Sequence, residues 1–151
     1  MPFGLYQTAA LGVYTPTGNT PEFALTVVPA IPEIFRNADG TAVAANQDGT
    51  LNSTSNPAAQ GSYVSIWMTG AAPVIAGSAG QIATAANDYR CCAVEIGNQM
   101  VTVSYAGAAP GAAVGVTQIN FQIPGGVSDQ TAVQVIAGDG SISHPAAISV
   151  R

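Results

Sequence analysis

The sequence predicts an all-β protein, an antiparallel β-sandwich or barrel preceded by a strand-forming extension. Three observations predict it. Short runs in which apolar and polar residues alternate with period 2 recur along the chain. The 17 Gly and 10 Pro are spread throughout, which interrupts helices and marks turns. No segment carries a convincing helical period. A chain of 151 residues fits one domain, or one domain plus an extension, and can bury a core without metals or cross-links.

Each run has its own alternation. Leu25 and Val27 alternate with Thr26 and Val28. In residues 62–68, Val64, Ile66 and Met68 share one face, while Tyr63, Ser65 and Trp67 share the other. Cys92, Val94 and Ile96 alternate with Cys91, Ala93 and Glu95, and Val101, Val103 and Tyr105 with Thr102 and Ser104. The clearest run is 117–123, with Ile119, Phe121 and Ile123 inward and Gln118, Asn120 and Gln122 outward. Val133 and Val135 continue the series, and Ile148 and Val150 end it. Turn signals at Asp39-Gly40, Asp48-Gly49, Gly97-Asn98, Pro124-Gly125-Gly126 and Asp139-Gly140 separate the runs. Residues 70–87, rich in Ala, Gly, Ser and Pro, read as a long loop or a crossover between sheets. Seven or more short strands with frequent turns are the pattern of a sandwich or barrel.

Charge narrows the function classes. Only 7% of residues are Asp, Glu, Lys or Arg, and the net charge is -5, against about 25% charged residues in an average soluble domain. There is no Lys, and Arg36, Arg90 and Arg151 are the only cations. Three scattered Arg give no electrostatic footprint for nucleic acid or an anionic membrane, and without Lys no Lys–Asn isopeptide link can form. A surface made of Asn, Gln, Ser and Thr suits secreted and cell-surface β proteins, and low charge weakens the usual barrier to edge-to-edge association. No apolar run reaches the roughly 18 residues of a membrane span. Met1, Pro2, Phe3 and Gly4 open the chain without the basic residues of a signal peptide.

From Ile31 onward a series of blocks carries a family resemblance. They are Pro32-Glu33-Ile34-Phe35, Asn46-Gln47-Asp48-Gly49-Thr50-Leu51-Asn52-Ser53 and Asn56-Pro57-Ala58. Gly61 then opens a strand ending at Thr69-Gly70, and Val94-Glu95-Ile96-Gly97 and Tyr105-Ala106-Gly107-Ala108-Ala109-Pro110-Gly111 follow. Gln118-Ile119-Asn120-Phe121-Gln122-Ile123-Pro124 completes the series. Over about four-fifths of its length the chain thus resembles the Solibacter-type C-terminal domain family of large secreted bacterial proteins. It departs from that pattern between Thr69 and Asp88, where the usual Gly- and Pro-rich loop is shortened. The resemblance implies an immunoglobulin-like sandwich in a secreted protein and no particular activity.

These readings divide the chain into an extension, residues 1–29, and an immunoglobulin-like domain, residues 30–151. Gly4-Leu5-Tyr6-Gln7 parallels Gly115-Val116-Thr117-Gln118, Thr20 parallels Thr131 and Leu25 parallels Ile136, each at an offset of 111 (115 − 4). One domain length of offset suggests tandem ancestry. The extension either folds back onto its own domain or adds as a donor strand to a neighbouring subunit, which would chain identical subunits into a filament. Its contact residues in that case are Leu5, Tyr6, Leu11, Val13 and Tyr14.

Chemistry is sparse. His144, the one histidine, precedes Pro145 in a turn and has no triad context. Cys91 and Cys92 point to opposite faces if they lie on one strand. Free or variably oxidised thiols are the favoured state, with a bond between neighbours or an intersubunit bridge as alternatives. Asn37-Ala38-Asp39-Gly40-Thr41 and Asn46-Gln47-Asp48-Gly49-Thr50 resemble the middle of a calcium loop but lack its flanking ligands, so they read as turns. Asn52-Ser53-Thr54 is a glycosylation sequon in a loop. Nothing has zinc-ligand spacing, paired catalytic carboxylates or a phosphate loop.

The expectation is therefore a non-catalytic protein without cofactor or metal, extracellular or on the cell surface. Its leading role is that of a self-assembling structural subunit, a homo-oligomer or filament. The alternative is a carbohydrate- or surface-binding module in which Tyr63 and Trp67, with Tyr105 if it shares their face, form a glycan platform.

Overall fold

A computed structural model describes residues 8–71 and 80–151, and the fold is all-β. In chain order the strands are β1 (Thr8–Leu11), β2 (Tyr14–Thr15), β3 (Gly18–Asn19), β4 (Phe23–Thr26), β5 (Glu33–Ile34), β6 (Ala44–Asn46) and β7 (Tyr63–Thr69). They continue with β8 (Cys92–Ile96), β9 (Gln99–Val101), β10 (Val103–Ala108), β11 (Thr117–Gln122), β12 (Asp129–Ala137) and β13 (Ala146–Val150). One sheet runs β10-β11-β7-β5, with β6 also on β7; a second runs β13-β12-β8-β9. Their strand pairings are all antiparallel.

The alternation explains why these segments form two packed layers. Val64, Ile66 and Met68 of β7 stand beside Phe121, Ile119 and Thr117 of β11, and each of these six is at most 3% exposed. In the other sheet, Val133 and Val135 of β12 pair with Ile96 and Val94 of β8, and Thr131 pairs with Ile148 of β13. The apolar rows of both sheets join one core, with Ile34 and Ile123 closing its margins. Two antiparallel sheets packed through their apolar faces make a β-sandwich. Each fully buried Ile, Val or Phe side chain contributes roughly 1.5–3 kcal/mol by removal from water.

The run at 101–105 differs from its reading as one strand. It belongs to two, because the chain leaves the second sheet after Val101 and enters the first at Val103. A register shift lies between Val103 and Tyr105. The period-2 pattern passes through the crossover unbroken, since both halves still turn alternate residues inward.

The margin beside β13 is stitched to the first half of the domain. The Ala42 N–H donates to the Ala147 carbonyl (2.8 Å), Ala58 N–H to Ser149 (2.9 Å) and Arg151 N–H to Ala58 (2.9 Å). Asn52 completes the seam with its side chain. Its Nδ2 donates to the Ser149 carbonyl (2.9 Å) and its Oδ1 accepts from the Ser149 N–H (2.8 Å). The amide thus pairs with Ser149 as another strand would.

Three turns repeat one design. In the first two, Asn37 N–H donates to Thr41 O and Asn46 N–H to Thr50 O, both at 2.8 Å; in the third, Ala137 N–H donates to Ser141 O, also at 2.8 Å. In each, the Asp Oδ1 accepts the backbone N–H two residues on, at 3.0, 3.0 and 2.9 Å for Asp39, Asp48 and Asp139. The following glycines have φ of 85°, 82° and 87°, a conformation that side chains disfavour. The motifs read as turns are therefore turns, with their carboxylates engaged inside the loop.

Residues 8–26 form a separate arm. β1 pairs with β4, β2 pairs with β3, and neither pair joins either sheet of the sandwich. Thr15 and Gly18 close the tip, where the Thr15 hydroxyl donates to the Gly18 carbonyl (2.7 Å). At the root, the Ile31 N–H donates to the Gly70 carbonyl (2.9 Å). A side chain at Gly70 would strike the Ile31 carbonyl, so glycine permits this close approach. The echo at offset 111 does not extend to topology. β1 and β4 pair with each other, but their counterparts 119–122 and 134–137 lie in β11 and β12, in different sheets. The arm is therefore paired differently from those late strands.

Candidate functional site

The arm presents the first candidate surface. Cross-strand register puts Leu11 beside Phe23 and Ala9 beside Leu25, so these four share one face, while Thr8, Ala10, Ala24 and Thr26 share the other. Leu11 and Val13 are each 54% exposed, and Tyr14 and Phe23 each 67%. Contiguous apolar exposure of this kind marks interaction surfaces. The arm is internally braced: Tyr14 donates its hydroxyl to Glu22 Oε1 (3.0 Å), and the Val13 N–H donates to Thr20 Oγ1 (3.0 Å). The outer edges of β1 and β4 have no strand partner among the described residues. Of the contact residues expected from sequence, Leu11, Val13 and Tyr14 lie on this hairpin, and Leu5 and Tyr6 fall outside the described residues. Phe23 was missed. Its partnership with Leu11 depends on the hairpin register, which Pro16 and Gly18 at the tip hint at only weakly.

A second surface lies on the outer face of the β7 sheet. Tyr63, Ser65 and Trp67 alternate with the buried row, as expected. They line an open groove of about 620 Å³ together with Gln47, Ser104 and Asn120. β11 sets Asn120 directly beside Ser65, and the segment after β6 brings in Gln47, whose Oε1 accepts the Tyr63 N–H (3.0 Å). Ser104 donates to the Asn120 carbonyl (3.1 Å), and Asn120 Oδ1 accepts from Gln118 (2.9 Å). The residues lining the groove carry no formal charge.

Tyr105 does not join this platform. Its hydroxyl donates to the Ala108 carbonyl and accepts the Asn87 N–H (3.1 Å). Burial raises its pKa above the usual phenol value, and the Asn87 N–H partly offsets that rise. Tyr105 instead fastens the 87–89 segment along β10, where Tyr89 N–H donates to Ala106 O and Ala108 N–H to Asn87 O.

Cys91 and Cys92 are joined in a disulfide between neighbours, and the favoured expectation of free thiols gives way to it. Opposite-facing side chains hold only within a strand. Arg90 has a left-handed φ of 49°, and β8 begins at Cys92, so Cys91 lies outside the alternation. Cys91 lines a recess of about 510 Å³ at the arm's root with Pro29, Ala30, Ala71, Tyr89 and Asp139.

His144 stands at the surface, and its Nδ1 lies 2.9 Å from Glu33 Oε2. Arg36 holds the other oxygen of the same carboxylate at 2.8 Å. Such an exposed trio adds little to stability. The sequon fails on access. Asn52 is 9% exposed and its amide is engaged at both ends, so the loop expected to display it instead buries it. Among the described residues, no group of three or more His, Cys, Asp or Glu could hold a metal ion, and no helix is long and apolar enough to cross a membrane.

The chain matches no family model, no curated protein and no solved structure. The resemblance carried by the blocks from Pro32 to Pro124 stands on those residues alone.

Proposed function

We propose that this protein is a structural subunit of an extracellular assembly, an immunoglobulin-like sandwich that joins identical copies through its arm. The observation that carries the reading is the arm's Leu11–Phe23 face, more than half exposed and lying outside the core. A folded hairpin docks by the same backbone pairing as a single donor strand.

The acceptor is the β9 edge of a second copy. Three of the other sheet margins are engaged, β13 by 42 and 58–60, β6 by 50–52, and β10 by 87–89, and the remaining edge strand, β5, is only two residues long. β9 pairs only with β8 among the described residues, and Met100 upon it is 60% exposed. An arm edge meeting a different edge on the next copy is a heterologous contact, which extends rather than closes unless rotation forms a ring. The low-charge surface and the family resemblance support the extracellular setting and the immunoglobulin-like architecture.

Sedimentation and negative-stain imaging of the intact chain, beside the full-length double variant Leu11→Asp/Phe23→Asp, test the reading. Filaments or discrete oligomers are expected from the intact chain and monomers from the variant. An intact chain that stays monomeric at high concentration, or a variant that assembles equally well, defeats it.

A further inference from the structure

We infer that the groove along β7 is a binding site for a neutral oligosaccharide. The site shares no residue with the arm. Tyr63 and Trp67 sit four residues apart on one strand, a span of about 13 Å at roughly 3.3 Å per residue. Ser65 lies between them on the same face. That spacing suits a short chain of sugar rings rather than one ring.

The chemistry of the lining selects the ligand class. Aromatic rings offer an apolar surface with a polar tip, the complement of a pyranose whose C–H face is apolar and whose rim carries hydroxyls. Among the described residues no hydrogen bond engages the Tyr63 hydroxyl, the Trp67 indole N–H, the Ser65 hydroxyl, Gln47 Nε2 or Asn120 Nδ2. These groups are donors or donor–acceptors suited to sugar hydroxyls. Meanwhile Gln47 Oε1 and Asn120 Oδ1 are held by Tyr63 and Gln118, which fixes how each amide is presented.

Other ligand classes fit less well. An uncharged lining gives no partner to a phosphate, a uronate or a cationic peptide. β7 is paired on both sides, by β11 and by β5 and β6, so it offers no free backbone edge to an added strand. An extended peptide, including the arm of another copy, would have only side chains to grip. The volume lies within the roughly 300–1,000 Å³ range of small-ligand sites.

Trp67 is the chain's one tryptophan, so its fluorescence reports the groove directly. Titration would use neutral hexasaccharides of β-1,4-glucose, β-1,3-glucose, β-1,4-mannose, β-1,4-xylose and β-1,4-N-acetylglucosamine, with hexagalacturonate as the anionic control. At least one neutral sugar is expected to shift the emission saturably and shield Trp67 from acrylamide. Tyr63→Ala should weaken that sugar by about tenfold or more, the loss of one aromatic anchor. Asn120→Ala, which leaves the strand ladder intact, should weaken it less and serves if Tyr63→Ala fails to fold. The inference is overturned if no neutral sugar binds, if only hexagalacturonate does, or if binding is unchanged in a folded variant of either residue. Shielding of Trp67 that rises with protein concentration alone would make the groove a subunit contact and equally overturn it.

Discussion

The arm and the sandwich are built from the same kind of strand, yet the same side chains have opposite fates in them. Leu11 and Phe23 are cross-strand partners on an antiparallel ladder, as Ile66 and Ile119 are. Ile66 and Ile119 are both 0% exposed, whereas Leu11 and Phe23 are 54% and 67% exposed. Pairing satisfies the backbone in both places. Burial requires a second layer, and only the sandwich supplies one. A two-stranded hairpin alone is marginal in water, so the arm gains most from a surface it does not itself contain.

Substitutions at matched positions sharpen this contrast. The largest effect belongs to the core: Ile66→Ala should cost about 2–5 kcal/mol by emptying a fully packed site. Phe23→Ala on the arm should stay within about 0.5 kcal/mol, as exposed changes do. Urea unfolding of monomer-range samples compares the two; a Phe23→Ala loss as large as that of Ile66→Ala would mean the arm belongs to the folding unit.

The seam comes next. Asn52→Ala should cost about 1–3 kcal/mol, because it strands the buried N–H of Ser149, while the Ser149 carbonyl keeps the Ala58 N–H. Retained stability in the same unfolding assay would show that these groups find other partners. Ser149 itself should move the opposite way. Its hydroxyl is buried without a hydrogen-bond partner among the described residues, so Ser149→Ala should gain up to about 1 kcal/mol. A loss in melting temperature would reveal a partner for that oxygen.

The smallest effect lies in the exposed turns. Hydrogen bonds from Thr41 and Thr50 lower the pKa of Asp39 and Asp48 below the ordinary 3.8, and those from Ser141 do the same for Asp139. A carboxylate with a lowered folded-state pKa adds stability that is fully present above its unfolded pKa and lost as pH falls through the folded one. Melting temperature should therefore fall below about pH 4, and less steeply in Asp48→Asn. An identical acid limb in that variant would show that the turn carboxylate does not contribute.

How far the sequence reveals this molecule follows from how local each signal is. β7 and β11 are legible because each buries one face, so Val64, Ile66, Ile119 and Phe121 mark them directly. The pairing of Tyr63 with Trp67 is legible for the same reason. Gln47 and Asn120 are not, since nothing local says that a turn after β6 and a strand far along the chain meet at that groove. Asn52 is the extreme case: its amide serves Ser149, 97 residues away, and from sequence it reads only as a sequon in a loop. The crossover at Thr102 is hidden because alternation persists through it. The disulfide is hidden because the alternation of 91–96 gives no sign that Cys91 lies outside the strand that begins at Cys92.

The root of the arm also decides how the fold would respond to force. Ile31, Glu33, Ile34 and Phe35 run antiparallel along Gly70, Thr69, Met68 and Trp67, tied by backbone hydrogen bonds such as Ile31 to Gly70 and Phe35 to Trp67, each 2.9 Å. Tension on the arm along this segment is shared by several of these bonds at once instead of opening them singly, as in peeling. The arm is thus anchored in shear, with the Ile31–Gly70 bond nearest the arm and the Phe35–Trp67 bond at the far end of the ladder.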